Sequence, residues 1–302
     1  MNATPYHPFV SEEAKEMYLA FYDQSASQWS IPSETMMIPT PYGQTFVRVS
    51  GPVDAPPLIL LHGAGSTSLA WIFSIEAFSR YHRTYAIDSL INIGCVGRSI
   101  YTRPITNADE CSEWLNSLFN SLDLRDKISL IGASYGGWVA SQYALRHPER
   151  LNKAVWVAPA GTVLPFSEEY LRRSMALYIN PSKQTFEDFF QWSFNDFLRK
   201  YPEALQSIVD EFTLTMQSFV PPKPHEVPRL TALSDDELQS VMTPTLFIIG
   251  ENDVLYSASD ALDRLHKVAP DINIQLIKEA GHDVLLVQTE TINQIIGEFL
   301  KD

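Results

Sequence analysis

The chain has 302 residues, 45% of them apolar, 12% aromatic and 19% charged, which is the usage of a globular protein with a sizeable core and excludes a disordered or fibrous one. Its 22 Lys and Arg against 36 Asp and Glu leave a net charge of −14 with no basic run, which argues against nucleic acid or an anionic membrane surface as a partner. Cys95 and Cys111 make neither a disulfide framework nor a paired zinc motif, and Glu12, Glu13 and Glu16 interrupt the apolar stretch that a signal peptide would need, so the expected location is the cytoplasm.

Residues 11 to 29 read as an amphipathic helix opening at Ser11 with acidic residues in its first turn, and Gln44 to Ser50 alternates as a strand does. Pro57 to Leu61 (PLILL) is a continuous apolar run ending in HGAGSTS, the pattern of a strand buried on both faces that releases the chain into a loop. Thr84 to Ile87 before Asp88, Ile128 to Ile131 before GASYGG, and Ala154 to Ala158 before Pro159 repeat it. From Gly161 to Asp236 the strand signal gives way to aromatic-rich helical segments broken at Pro181, Pro202 and Pro221 to Pro224. Strands return at Thr245 to Ile249 and Asn273 to Ile277, and a last helix runs from about Thr291 to Leu300. The expected class is therefore α/β: a mostly parallel central sheet flanked by helices, residues 1–160 and 237–302, with a helical cap inserted as residues 161–236. Ligands of such a sheet bind beyond the carboxyl ends of its strands, which is where chemistry is to be sought.

There, Gly132-Ala133-Ser134-Tyr135-Gly136 stands between the strand ISLI and a helical run from Trp138 to His147. A serine held on so sharp a turn crowds the residues two before and two after it, so both must lack side chains. Serine needs a base and an orienting acid to become a nucleophile. Of seven histidines, His282 in EAGH follows the last strand and can project over the sheet edge; His82, His147 and His266 sit in helical contexts, His7 and His225 in proline-rich ones. The strand TLFIIG runs into Glu251-Asn252-Asp253, where Asp253 has room to turn back toward a histidine and Glu251 is better placed to cap or salt-bridge. Backbone amides of Ala64, in His62-Gly63-Ala64-Gly65, and of Tyr135 are the candidate oxyanion donors. His62 reads as a structural hydrogen-bonding residue, and Asp88 as the anchor of the turn after its strand. The loop GxG lacks the third glycine of a dinucleotide fingerprint, and no cluster has metal-ligand spacing. Phe166, Phe190 and Trp192 are candidate substrate-binding walls in the cap, although rings at helical spacing also build a cap's own core.

The ordered set PLILLHGAG, AID, IGASYGG, FIIGENDV and EAGH resembles the α/β-hydrolase superfamily over essentially the whole chain. More narrowly, SGPVDAPPLILLHGA, RTYAID, LPF and SDDELQSVMTPTLFIIGENDV resemble the bacterial carboxylesterase NP group, the naproxen esterases. That resemblance implies a hydrolase of carboxylic esters that needs no cofactor, with a small-molecule ester as the expected substrate. It carries the nucleophile onto Ser134, the base onto His282, the acid onto Asp253 and the oxyanion amides onto Ala64 and Tyr135. The chain departs from the superfamily after Asp88, where SLINIGCVGRS replaces a compact glycine-rich turn and alters one wall of the expected pocket. Serine at position 134 speaks against an epoxide hydrolase or dehalogenase, which would carry Asp there. Other reactions of the same three side chains (carbon–carbon bond hydrolysis, perhydrolysis, lactone opening), a non-catalytic ligand receptor and a homodimer all stay open at this point.

Overall fold

The computed structural model describes residues 9–90, 97–125 and 127–301. Within them nine strands form one sheet: β1 (Ser33–Thr40), β2 (Gly43–Ser50), β3 (Pro57–Leu61), β4 (Arg83–Ile87), β5 (Ile100–Tyr101), β6 (Ile128–Ala133), β7 (Leu151–Val157), β8 (Thr245–Gly250) and β9 (Asn273–Ile277). The order across the sheet is β1-β2-β4-β3-β6-β7-β8-β9, with β5 pairing beside β2. From β4 to β9 every neighbouring pair is parallel, while β2 runs antiparallel to β1, β4 and β5.

The apolar runs occupy the middle of this sheet because a strand covered on both faces sends alternate side chains into two different layers. Ile59 and Leu61 enter one buried cluster and Leu58 and Leu60 the other; Phe247 and Ile249 are divided from Leu246 and Ile248 in the same way. The helices of the described residues are α1 (Glu12–Ala26), α2 (Ile75–Ser79), α3 (Ala108–Ser121), α4 (Tyr135–Arg146), α5 (Glu168–Ile179), α6 (Lys183–Ser193), α7 (Asn195–Lys200), α8 (Ala204–Ser218), α9 (Asp235–Gln239), α10 (Ala258–Val268), α11 (Val284–Val287) and α12 (Thr289–Lys301). Apolar side chains of α1, α3, α4 and α10 fill the first layer, and those of α2 and α12 the second. As the sequence suggests, Ser11 caps α1, its side chain accepting from the Ala14 amide.

Two strands are not legible in the sequence. β1 is an edge strand, paired only with β2 on the path across the sheet and exposed over much of its length, and Pro39 interrupts its donors, so it carries no buried-strand pattern. β5 is only two residues long.

Between β7 and β8 the described chain is helical or irregular. Its helices α5, α6 and α8 enclose a cluster of their own, with Leu177, Phe186, Phe190 and Val209 buried in it. The Leu233 amide donates to the Thr162 carbonyl at 2.9 Å, which brings the two ends of this helical segment together. The sequence boundary at 236/237 falls inside α9, whose Leu238 is buried in the first layer of the main core. Among the described residues no helix is long and apolar enough to cross a membrane.

Candidate active site

The order β4-β3-β6 means that the chain leaves β3 toward one side of the sheet and later returns on the other, so the crevice between the ends of β3 and β6 is a topological switch point. Ser134 closes β6 and opens α4 there, with φ 50° and ψ −114°, a left-handed conformation that costs a non-glycine residue about 1–3 kcal/mol. Bonds on both sides hold it: the Ser134 amide donates to Val157 O at 2.8 Å, and Ser134 O accepts from Trp138 N at 3.1 Å and Ala160 N at 2.9 Å. The flanking glycines are sterically required. A Cβ on Gly132 would lie 2.7 Å from the Gly137 nitrogen, and one on Gly136 would lie 2.7 Å from the His62 carbonyl oxygen.

His282 Nε2 lies 2.9 Å from Ser134 Oγ, and its Nδ1 lies 3.1 Å from Asp253 Oδ2. The Asp253 carboxylate is almost wholly buried, and its other oxygen accepts from the Leu255 amide at 2.9 Å, so it is fixed from both ends. An ionised carboxylate only accepts, which puts the proton on Nδ1 and leaves Nε2 to take the serine hydroxyl's hydrogen. Such a serine can pass its proton to the imidazole as its oxygen attacks an electrophilic carbon. Glu251 is exposed and its carboxylate lies 3.4 Å from the Glu279 amide, a capping contact away from His282.

Ala64 lies on the loop after β3 and Tyr135 is the first residue of α4. Their loops meet at Gly63, where an added Cβ would stand 3.3 Å from Ser134 Cβ. Gly65 adopts φ +73°, which favours glycine, and an added Cβ there would meet the ring of Phe212 at 3.2 Å. Phe212, on α8, is edge-on to Phe186 and Phe190 with centroids 5.0 and 5.2 Å away, so the apolar cluster of α5, α6 and α8 reaches down to this loop. Phe190 itself is buried within that cluster. Trp192 is partly buried beneath the Arg173 guanidinium, 4.8 Å from its centroid, and Phe166 stacks on Tyr170 near the start of that helical segment. Sequence reading stopped short of Phe212; the signal was the Ile208, Phe212, Met216 stripe on one face of α8.

His62 is buried and has both ring nitrogens committed to backbone: Nδ1 donates to Gly63 O at 2.8 Å, and Nε2 accepts from the Ser89 amide at 2.9 Å. Burial pushes its pKa down, more than the Gly63 bond and the Asp88 charge push it up. The unfolded chain therefore takes up a proton that folded His62 refuses, so stability is lost as pH falls below about 6.5, by at most about 1.4 kcal/mol per pH unit. The urea midpoint should accordingly drop further between about pH 7.5 and about pH 5.5 in the wild type than in His62→Gln; equal drops would show that His62 does not carry this linkage.

Asp88 is fully buried and accepts from Ser68 N and Arg98 N, both at 2.8 Å, and from Tyr22 OH at 3.0 Å. It anchors the turn and lies apart from the serine relay. Most of the atypical loop, residues 91–96 including Cys95, lies outside the described residues, as does His7. Among the described residues no three His, Cys, Asp or Glu side chains converge as metal ligands.

A second feature beside the relay, after Phe212, went unread in the sequence. Asp283, next to His282, is 2% exposed and accepts from Gly281 N at 2.9 Å and from Phe197 N at 2.7 Å. Burial raises its pKa and the nearby Asp196 charge adds to this, against the lowering effect of the two amides.

Residues 58–294 match the alpha/beta hydrolase family, and the chain belongs to it. The uncharacterized carboxylesterase nap of Bacillus subtilis is 33% identical over 282 residues, covering 93% of this chain and 91% of its own length. The carboxylesterase YbfK of the same organism is 33% identical over 294 residues, covering 97% of this chain and 96% of its own. The crystal structure of the Bacillus subtilis naproxen esterase, carboxylesterase NP, superposes with a TM-score of 0.86 at 31% identity, over 97% of this chain and all of that one.

Proposed function

We propose that this member of the family hydrolyses carboxylic esters of small molecules by acyl transfer to Ser134. The observation that carries the reading is the unbroken relay from Ser134 Oγ through His282 to buried Asp253, at 2.9 and 3.1 Å. Kinship over nearly the full length with two carboxylesterases supports ester hydrolysis as its use. His282 takes the serine proton as Ser134 Oγ attacks the ester carbonyl, and Asp253 stabilises the imidazolium. The amides of Ala64 and Tyr135 receive the developing oxyanion. His282 then returns its proton to the leaving alcohol, and water, deprotonated by the same imidazole, releases the acid and restores the serine. The inserted helices serve as a cap over this site. Phe212, lying against the oxyanion loop, gives the pocket an apolar wall suited to alkyl or aryl acyl groups.

The test is intact mass after treatment with a fluorophosphonate, followed by turnover of short-chain and aryl esters, for the wild type and for Ser134→Ala. One adduct on the wild type, its absence from Ser134→Ala, and multiple turnovers by the wild type alone are the expected results. A folded wild type that takes no adduct would overturn the reading, and acylation without turnover would make the protein a ligand receptor on a hydrolase fold.

A further inference from the structure

Helix α7, Asn195–Lys200, is too short to persist without tertiary partners, and it is fastened to the core at two points with the donor and acceptor roles reversed. The first is Asp283, whose carboxylate joins Phe197 N of α7 to Gly281 N, the residue before His282. The second is Asp196 of α7, 5% exposed, which accepts from Asn252 Nδ2 at 2.9 Å while its other oxygen pairs with Arg199. Asn252 immediately precedes Asp253, and its amide donates to Ala280 O at 2.9 Å, which links the two loops to each other. Phe197 packs against the second core layer and Leu198 is buried, so the helix also has apolar contacts to the core. Two buried carboxylates are a costly way to hold a six-residue helix, and they fix geometry that apolar packing leaves loose.

We infer that Asp283 and Asp196 are positioning residues, a paired clasp that fastens α7 of the insertion to the loops carrying Asp253 and His282 and holds the imidazole in register with Ser134. The inference rests on the reading of Ser134, His282 and Asp253 as the catalytic relay. The clasp touches no substrate; it couples the seating of the inserted helices to the alignment of the acid and the base. When α7 is seated, Gly281 is tied and His282 stands within hydrogen-bond reach of the serine. When the clasp is lost, the histidine loop is free to drift.

The variants are Asp283→Ala, Asp283→Asn and Asn252→Ala. Two quantities are read from each: kcat and KM on a short activated ester, and hydrogen exchange at the Phe197 and Gly281 amides. A histidine displaced by about 1 Å costs on the order of a hundredfold in rate, so Asp283→Ala should lower kcat about ten- to a hundredfold, with KM changing less than about threefold. Asn252→Ala, which removes only the reversed half, should cost about three- to tenfold, and exchange at Phe197 should quicken in all three. Combining Asp283→Asn with Asn252→Ala should cost less than the product of the separate losses, because both act through one helix. A purely structural role would lower Tm and leave the kcat of the folded protein unchanged. Wild-type kcat in folded Asp283→Asn and Asn252→Ala would overturn the inference; should the Asp283 variants not fold, Asn252→Ala, altered at an exposed side chain, decides alone. A wild type that neither accepts a fluorophosphonate nor turns over ester fails at the underlying reading, whereas an active wild type with unaffected variants fails only at the clasp.

Discussion

Replacing His282 by alanine is expected to lower kcat for an aryl ester by about 10,000- to 1,000,000-fold, and replacing Ser134 and His282 together is expected to cost no more than the worse single change. The reason lies in the geometry. Ser134 Oγ has one proton acceptor at 2.9 Å, and without it the hydroxyl is a poor nucleophile whatever its position; without the hydroxyl the imidazole has nothing to activate. Asp253→Asn should cost about 10,000-fold by a different route. An amide beside Nδ1 can offer a hydrogen in place of the carboxylate's lone pair, which moves the ring proton to Nε2 and turns the base away from the serine. The Leu255 amide, which now donates to Asp253 Oδ1, would favour that orientation by claiming the amide oxygen for itself. Purified single and double variants, assayed for kcat and KM on one aryl ester, make the check. Losses that multiply in the double variant would mean that the two side chains act in separate steps and that the relay is not the catalytic unit.

What could be read from the sequence follows from how each feature is encoded. PLILL, ISLI and TLFII are apolar on both faces and end in glycine or polar turns, so their pattern alone reveals buried parallel strands and where their loops emerge. The serine elbow is encoded by sterics within five consecutive residues, and His282 and Asp253 are each set by a strand end a few residues away. β1 is encoded by its pairing to β2, and an exposed edge strand containing Pro39 shows no periodicity of its own. The clasp is less legible still. Asp283 lies 86 residues from its partner Phe197, and Asp196 lies 56 from Asn252; in each case an acidic residue on a short helix or loop reads by default as solvated charge. Phe212 is a similar case, since its face on α8 announces an apolar stripe and says nothing of Gly65, which it covers. The chemistry is local in sequence, while the coupling of the insertion to that chemistry is long-range and appears only in three dimensions.

That coupling makes Gly250 the most informative position outside the relay. It is the last residue of β8, and an added Cβ would stand 2.7 Å from the Ala280 carbonyl carbon and closer still to the Ala280 and Gly281 carbonyl oxygens. These atoms are backbone, so no rotamer change relieves the clash. The loop leading to His282 also cannot slide freely, because Glu251 N donates to Ile277 O at 2.8 Å and Asn252 N to Ala280 O at 2.9 Å. Gly250→Ala must therefore push the loop outward by about 1 Å, carrying the imidazole with it, and kcat should fall by about a hundredfold. Stability should drop by about 1–3 kcal/mol, the usual cost of overpacking a fixed backbone contact. Gly297→Ala is the matched control: it lies within α12 with nothing within 4 Å of the new methyl group, and it should leave kcat unchanged while gaining about 0.5–1 kcal/mol from helix propensity. Urea melts of both variants, with kcat measured well below their midpoints, separate the two effects. If Gly250→Ala loses stability but keeps wild-type kcat, the histidine is held by something other than the close approach of its loop to β8, and the bonds from Asp283 become the remaining restraint.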